Sequence, residues 1–186
     1  MKQMKPLIFG YLILMVSMLL QFQVIWPAEA VLLSHWSEGP ASLLFLPHGI
    51  KALLIVLVGP IAVFPIALAH LTTDILIGVD AGRILFSAFI SSVVMLIPML
   101  MFNYVSQRPL LSGVMGSGFS LPQMTRLTFS VGLIAALLNA LANAAWFSES
   151  GITLLAFRYL TGDLLGIFVA LLLWSLLSRI AHRVSR

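Results

Sequence analysis

Inside long apolar runs of this 186-residue chain stand His48 and Lys51, His70 and Asp74, Asn139 and Asn143, and the charged residues Arg158 and Asp163. Residues three or four apart share one side of a helix, so each of the three pairs presents its members together. Arg158 and Asp163 are five apart, about 140° round a helix, and cannot simply satisfy each other. Their partners must come from other helices. An ionised side chain in hydrocarbon costs at least ~2.5–3.5 kcal/mol, so each of these charges needs a polar partner or a wet cavity. The chemistry such a set supports is solute recognition. Lys51 and Arg158 would attract anionic groups, Asp74 and Asp163 would orient them or accept donors, and His48, His70, Asn139 and Asn143 would hydrogen-bond.

Other chemistries find less support in the same residues. A metal site from His48, His70 and Asp74 rests on one helical His-x-x-x-Asp pair and a remote histidine, a weak ligand signal. Ser87, Ser91 and Ser92 lack a G-x-S-x-G context, and hydroxyls in membrane helices usually bond to backbone, so no serine nucleophile is expected. With no cysteine there is no thiolate chemistry and no disulfide. No catalytic residue, metal or cofactor is therefore expected, and the chain does not read as an enzyme. Gly162 and Gly166, a G-x-x-x-G pair with no strand before it, read as a helix-packing motif rather than a phosphate cradle. The competing reading of the polar residues is interhelical glue, worth about 0.6–1 kcal/mol each.

The elements that position these residues are membrane helices. Hydrophobic residues make up 61% of the chain and charged residues 9%, against about 25% charged in globular domains. No polar stretch is long enough for a soluble domain, so residues 1–186 are expected to form a single polytopic, all-α membrane domain. Apolar runs of about twenty residues fit six spans, at about 7–26, 42–58, 60–78, 84–104, 127–147 and 154–179. Gly59-Pro60 leaves room only for a tight turn, which makes spans two and three antiparallel neighbours. Ala28-Glu29-Ala30 offers a cleavage-like pattern, but the preceding apolar run is long for a signal peptide and reads as a retained span.

Positive charge sets the orientation. With both termini inside, Lys2, Lys5, Arg108, Arg126, Arg179, Arg183 and Arg186 are cytoplasmic and only Arg83 lies outside, while Glu29, Glu38, Asp80 and Glu149 fall on the outer side. The basic residues thus report topology, and no nucleic-acid partner is expected. Residues 105–125, with Pro109, Gly113, Gly116, Gly118 and Pro122, read as a cytoplasmic loop or shallow interfacial excursion. Outer residues Pro27–Ala41 carry His35 and Trp36, which with Trp26 suit the interface. At 1.5 Å per residue, all eight polar residues then lie within about 14 Å of the outer end of their helices. Polar groups from four helices at one depth imply a shared cavity open to the outer side.

Two stretches carry a resemblance. Phe45-Leu46-Pro47-His48-Gly49-Ile50-Lys51-Ala52-Leu53-Leu54, closing at Gly59 and continuing through Phe64-Pro65-Ile66-Ala67-Leu68-Ala69-His70, resembles the early segment of the first MASE family, the membrane-associated sensor domain. Tyr159-Leu160-Thr161-Gly162-Asp163-Leu164-Leu165-Gly166-Ile167 is similar to that family's aromatic-flanked Gly-Asp-x-x-Gly signature. The two blocks cover about sixty residues. The resemblance implies a multi-pass module of the bacterial inner (plasma) membrane in sensory signal transduction, usually fused to a histidine kinase or cyclic-dinucleotide output domain. It carries over most directly to Gly162 and Asp163. His48 and Lys51 depart from the family pattern, and the chain is expected to stand alone without an output domain, working with a kinase or cyclase partner.

Six helices in fewer than 200 residues with an outward pocket is also the architecture of the substrate-binding S components of energy-coupling-factor transporters. The alanine-x-x-x-alanine docking patch is missing, since Leu12–Gln21 contains no alanine. The expectation is thus a membrane module that binds a small anionic or zwitterionic solute from the outer side. The alternatives are a transporter subunit and a structural subunit of a membrane complex.

Overall fold

The computed structural model describes residues 4–33, 41–106, 113–114, 118–146 and 152–184. His35, Trp36, Glu38, Arg108, Pro109, Gly116, Glu149 and the terminal Lys2 and Arg186 lie outside the described residues. Among the described residues there is no strand, and helices follow one another in chain order. We number them α1 (Met4–Leu32), α2 (Leu46–Val58), α3 (Val63–Leu76, preceded by a 3-10 turn at Pro60–Ala62), α4 (Ala81–Ser106), α5 (Leu121–Trp146) and α6 (Ile152–Val184).

Four of these, α1, α4, α5 and a Thr153–Ala181 stretch of α6, are long and apolar enough to cross a bilayer. Their outward faces suit lipid: Phe9, Val16, Leu85, Phe89, Leu141 and Leu172 are each more than half exposed. A protein in water would hide such a band of large apolar side chains from solvent.

α2 is the hub. It packs against α6, α5, α1 and α4, and nine of its 13 residues are buried. A helix that is covered on every side needs no polar face, which accounts for its almost uniform apolar sequence. Ala52, Ile55 and Val56 lie at the centre of a core shared with Leu14 of α1, Ile66 and Ala69 of α3, Met95 and Met99 of α4, and Val131 and Ala135 of α5. Gly59 ends α2 at φ +89°, a conformation that suits a residue without a Cβ, and Pro60 starts the next turn. The expected tight turn is present, but α2 and α3 are not the close backbone neighbours expected from it, and α1 packs against both instead.

Three segment boundaries differ from the expectation. The first helix does not stop at Trp26 but continues to Leu32. A single π turn at Gln21–Ile25, in which the Trp26 amide bonds back to Gln21 O, precedes Pro27 and absorbs its missing donor. Part of the expected outer loop is therefore helical. The second run is not helical from residue 42. Helix begins only at Leu46, because Pro47 restricts the residue before it and fits the first helical turn. At about 20 Å, α2 alone falls short of a ~30 Å hydrocarbon core. The non-helical residues 41–45 extend its reach.

The third difference concerns the loop between α4 and α5. Helix α5 starts at Leu121, and Gly113 and Val114 fold back onto the end of α2, where the Val114 amide donates to Val56 O at 2.9 Å. Val114 is buried in the core. Gly113 has φ +75°, and a Cβ there would overlap the Leu57 carbonyl. That close approach requires glycine.

Candidate functional site

The site begins with backbone that is not helical yet is packed inside the bundle. Such backbone is tolerated at membrane depth only when protein groups satisfy it. Glu29 of α1 does most of this. Its Oε2 accepts from the Leu43 amide at 3.1 Å and from Ser42 Oγ at 2.8 Å, and its Oε1 accepts from the Leu44 amide at 2.8 Å. The Phe45 amide donates to Gly162 O at 2.9 Å. The Leu46 amide donates to Gln21 Oε1 at 3.0 Å. Gln21 is fully buried and sits at the π turn, which aims its side chain inward.

The glycines of α6 make the contact with this segment close. A Cβ on Gly162 would overlap Ser42 O, and one on Gly166 would overlap Phe45 O. Gly49 in turn abuts Gly166 O. The surface that Gly162 and Gly166 admit is the 42–45 backbone as well as a helix.

Directly below, His48 and Asp163 face each other, Nδ1 3.1 Å from Oδ2, with both side chains shielded. His48 Nε2 donates to Gly132 O at 3.1 Å. The contact with Asp163 is off the hydrogen-bond line, and it is an ion pair only when the ring carries a second proton. Asn139 Nδ2 donates to the same Asp163 Oδ2 at 2.7 Å, and Asn143 Nδ2 donates to Asn139 O and Oδ1 at 2.9 and 3.0 Å.

A second cluster joins α2, α3 and α4. Lys51 Nζ donates to Ser91 Oγ at 2.7 Å, which leaves the Ser91 hydroxyl proton for His70 Nε2 at 2.6 Å. Lys51 Nζ is also 3.2 Å from His70 Nε2 and 5.4 Å from the centre of the Phe45 ring, within cation–π range. Ser87 bonds Asp74 Oδ2. Of the two polar residues on the facing side of α3, His70 and Asp74, Lys51 reaches His70.

Between the two clusters is a cavity of about 330 Å³. Lys51, His70, Asp74, Asn139, Asn143 and Asp163 all line it. These residues lie at the ends of α3 and α5 and the beginnings of α2 and α6, so the helices alternate in direction around the cavity. Five aromatic residues, Phe22 and Trp26 of α1, Phe45, Phe86 of α4 and Tyr159 of α6, form part of the remaining wall, together with Ser42, Ser87, Ser91, Arg83 and small or aliphatic side chains. Phe22 lies 5.5 Å from Trp26 and 6.5 Å from Phe45, ring centre to ring centre.

Two expected members stand elsewhere. His48 is covered by Gly132 and Asp163 and lines no part of the cavity. Arg158 is buried but borders a separate, much smaller space with Glu29, Trp26 and Leu33. The five-residue offset from Asp163 turns it toward α1 instead. The postulated metal ligands also diverge, with His48 on Asp163, His70 on Ser91 and Asp74 on Ser87.

No protein-family model, curated protein or solved structure matches this chain. The geometry therefore carries the functional reading.

Sequence reasoning missed Ser87 and Ser91. Of Ser87, Ser91 and Ser92 on α4, only Ser92 bonds to the helix backbone alone, at Ala88 O. Ser87 and Ser91 are four apart and share a face, a signal that was available once that face was known to meet Asp74 and His70. Ser42, Gln21 and Glu29 were missed because they satisfy backbone, and nothing in a hydropathy pattern marks a non-helical segment at that depth.

Proposed function

We propose that the chain is a multi-pass sensory module that binds a small anionic or zwitterionic solute in the cavity between α2, α3, α5 and α6. The observation that carries this reading is the meeting of the two stretches similar to the first MASE family. Phe45 bonds Gly162, Gly49 abuts Gly166 and His48 faces Asp163, and the junction so formed contributes Phe45, Lys51 and Asp163 to the cavity wall. A family signature split between distant stretches makes physical sense when the two build one site.

In this reading all six helical segments cross the bacterial inner membrane, with α2 extended by residues 41–45. Both termini face the cytoplasm and the cavity opens to the outer side. The positive charges at the opposite end of the bundle support that orientation. Solute binding would fix the 41–45 segment against α6, and the change would pass to a kinase or cyclase partner. Lys51 is suited to an anionic group of the solute, and Asp163, Asp74, Asn139, Asn143 and His70 to its donors. His48 and Arg158 support the fold around the site instead of touching the solute.

Purification in mild detergent together with native partners tests the proposal. A co-purifying kinase or cyclase is the expected result. A co-purifying ATPase pair would assign the chain to a transporter as its substrate-binding subunit. An assembly unaffected by Lys51→Ala and Asp74→Ala, and insensitive to any solute, would leave only a structural subunit.

A further inference from the structure

The cavity holds charges of both signs that do not neutralise one another. Lys51 is 2% exposed, yet among the described residues no carboxylate oxygen lies within 4.0 Å of its Nζ, although Asp74 and Asp163 border the same space. Lys51 is held by Ser91, His70 and the Phe45 ring, which are neutral groups or acceptors that orient the ammonium without cancelling its charge. Asp163 is 1% exposed and lopsided. Its Oδ2 takes Asn139 and faces His48, while its Oδ1 is buried with no hydrogen-bond partner among the described residues. A buried carboxylate oxygen without a donor is costly, and a donor delivered through the adjoining cavity removes that cost.

We infer that the cavity takes an α-amino acid with an apolar side chain, its carboxylate on Lys51, its ammonium on Asp163 Oδ1, and its side chain against Phe22, Trp26 and Tyr159. This deepens the proposed solute-binding function and rests on it. Three features select this class. Unpaired charges of both signs on one small cavity match a compact zwitterion and leave an unpaired charge with either a simple anion or a simple amine. A volume of about 330 Å³ is at the small end of the ~300–1,000 Å³ range of ligand sites. The aromatic part of the lining, Phe22, Trp26, Phe45, Phe86 and Tyr159, gives favourable apolar contact to leucine, methionine, phenylalanine or tryptophan, although Ser42 and Arg83 also border the space.

The test uses the whole chain in lipid nanodiscs. Thermal melting is followed with leucine, methionine, phenylalanine or tryptophan, and with phenethylamine and 3-phenylpropanoate, which carry one charged end each. At least one amino acid should raise the melting temperature more than either single-charge probe. Lys51→Met should reduce phenylalanine to the level of phenethylamine, and Asp163→Asn should reduce it to that of 3-phenylpropanoate. A shift with phenethylamine or 3-phenylpropanoate as large as with phenylalanine overturns the zwitterion, as does the absence of a shift with all four amino acids.

A second measurement separates that failure from failure of the underlying reading. The chain has no cysteine, so Ile90→Cys and Asn143→Cys each place a single thiol on the cavity wall. Labelling by a small water-soluble methanethiosulfonate without any melting shift keeps a solute cavity and overturns only the amino-acid assignment. No labelling at either position overturns the cavity and the inference together. Because the wild-type comparison of probes needs no substitution, a variant that fails to fold leaves the test intact.

Discussion

Asp163 and His48 meet across the contact between α6 and α2, Oδ2 3.1 Å from Nδ1, with neither side chain open to solvent. Asp163 thereby has two sides. One oxygen meets His48 and Asn139 in the packed interior, the other is buried with no hydrogen-bond partner among the described residues, and the residue as a whole borders the cavity. A change at the cavity wall is thus one side chain away from the junction that holds α6 to α2.

That junction depends on the absence of side chains at Gly162 and Gly166. Gly166→Ala places a methyl group on the Phe45 carbonyl, which is backbone and cannot rotate aside. The expected cost is about 1–3 kcal/mol, the range for forced overpacking. Leu165→Ala, on the exposed face of the same helix, provides the comparison. Melting in detergent should separate the two, and equal melting temperatures would show that α6 does not seat on the 42–45 backbone.

Glu29 accepts from two backbone amides and one hydroxyl, and its loss strands the Leu43 amide and leaves Leu44 with only a longer contact, 3.3 Å, to Ser42 Oγ. Glu29→Ala should cost about 1–3 kcal/mol, the penalty for leaving partly buried donors unmade. Glu29→Gln retains one acceptor oxygen and should fall between alanine and wild type. Protease susceptibility at residues 41–45 reads out the loosened segment. Wild-type melting and protection in Glu29→Ala would remove Glu29 from this role.

Lys51→Met tests whether a buried cation serves stability or function. With no carboxylate oxygen within 4.0 Å among the described residues, the ammonium contributes no close ion pair in return for its desolvation, and methionine keeps the packing. Stability should fall by no more than about 1 kcal/mol, or rise, while solute-dependent stabilisation disappears. A loss of about 3 kcal/mol or more would make Lys51 a structural member of an ion pair instead.

The topology is open to direct test because any cysteine introduced is the only one. Asp80→Cys, between α3 and α4, should react with an impermeant maleimide added to intact cells. Gln123→Cys at the start of α5 and Arg183→Cys near the end of α6 should react only after the membrane is permeabilised. Reaction of all three from one side would overturn six crossings with both termini inside.

The helical class of the chain, its long apolar helices and the sharing of a face by Asn139 with Asn143 were legible in the sequence, because apolar run length and the 3.6-residue period are local properties of the chain. So was the turn at Gly59-Pro60, which two residues dictate. Membership of the cavity was not, since periodicity gives the angle between residues on one helix but not the rotation of that helix against its neighbours. This is why His48 and Lys51, three residues apart, end on different sides of the cavity wall, and why Ser87 and Ser91 join the polar cluster while Arg158 leaves it. Only the tertiary structure decided that residues 41–45 are not helical. The Leu43, Leu44 and Phe45 amides find acceptors on Glu29 and Gly162, and such long-range satisfaction of backbone leaves no trace in a one-dimensional pattern.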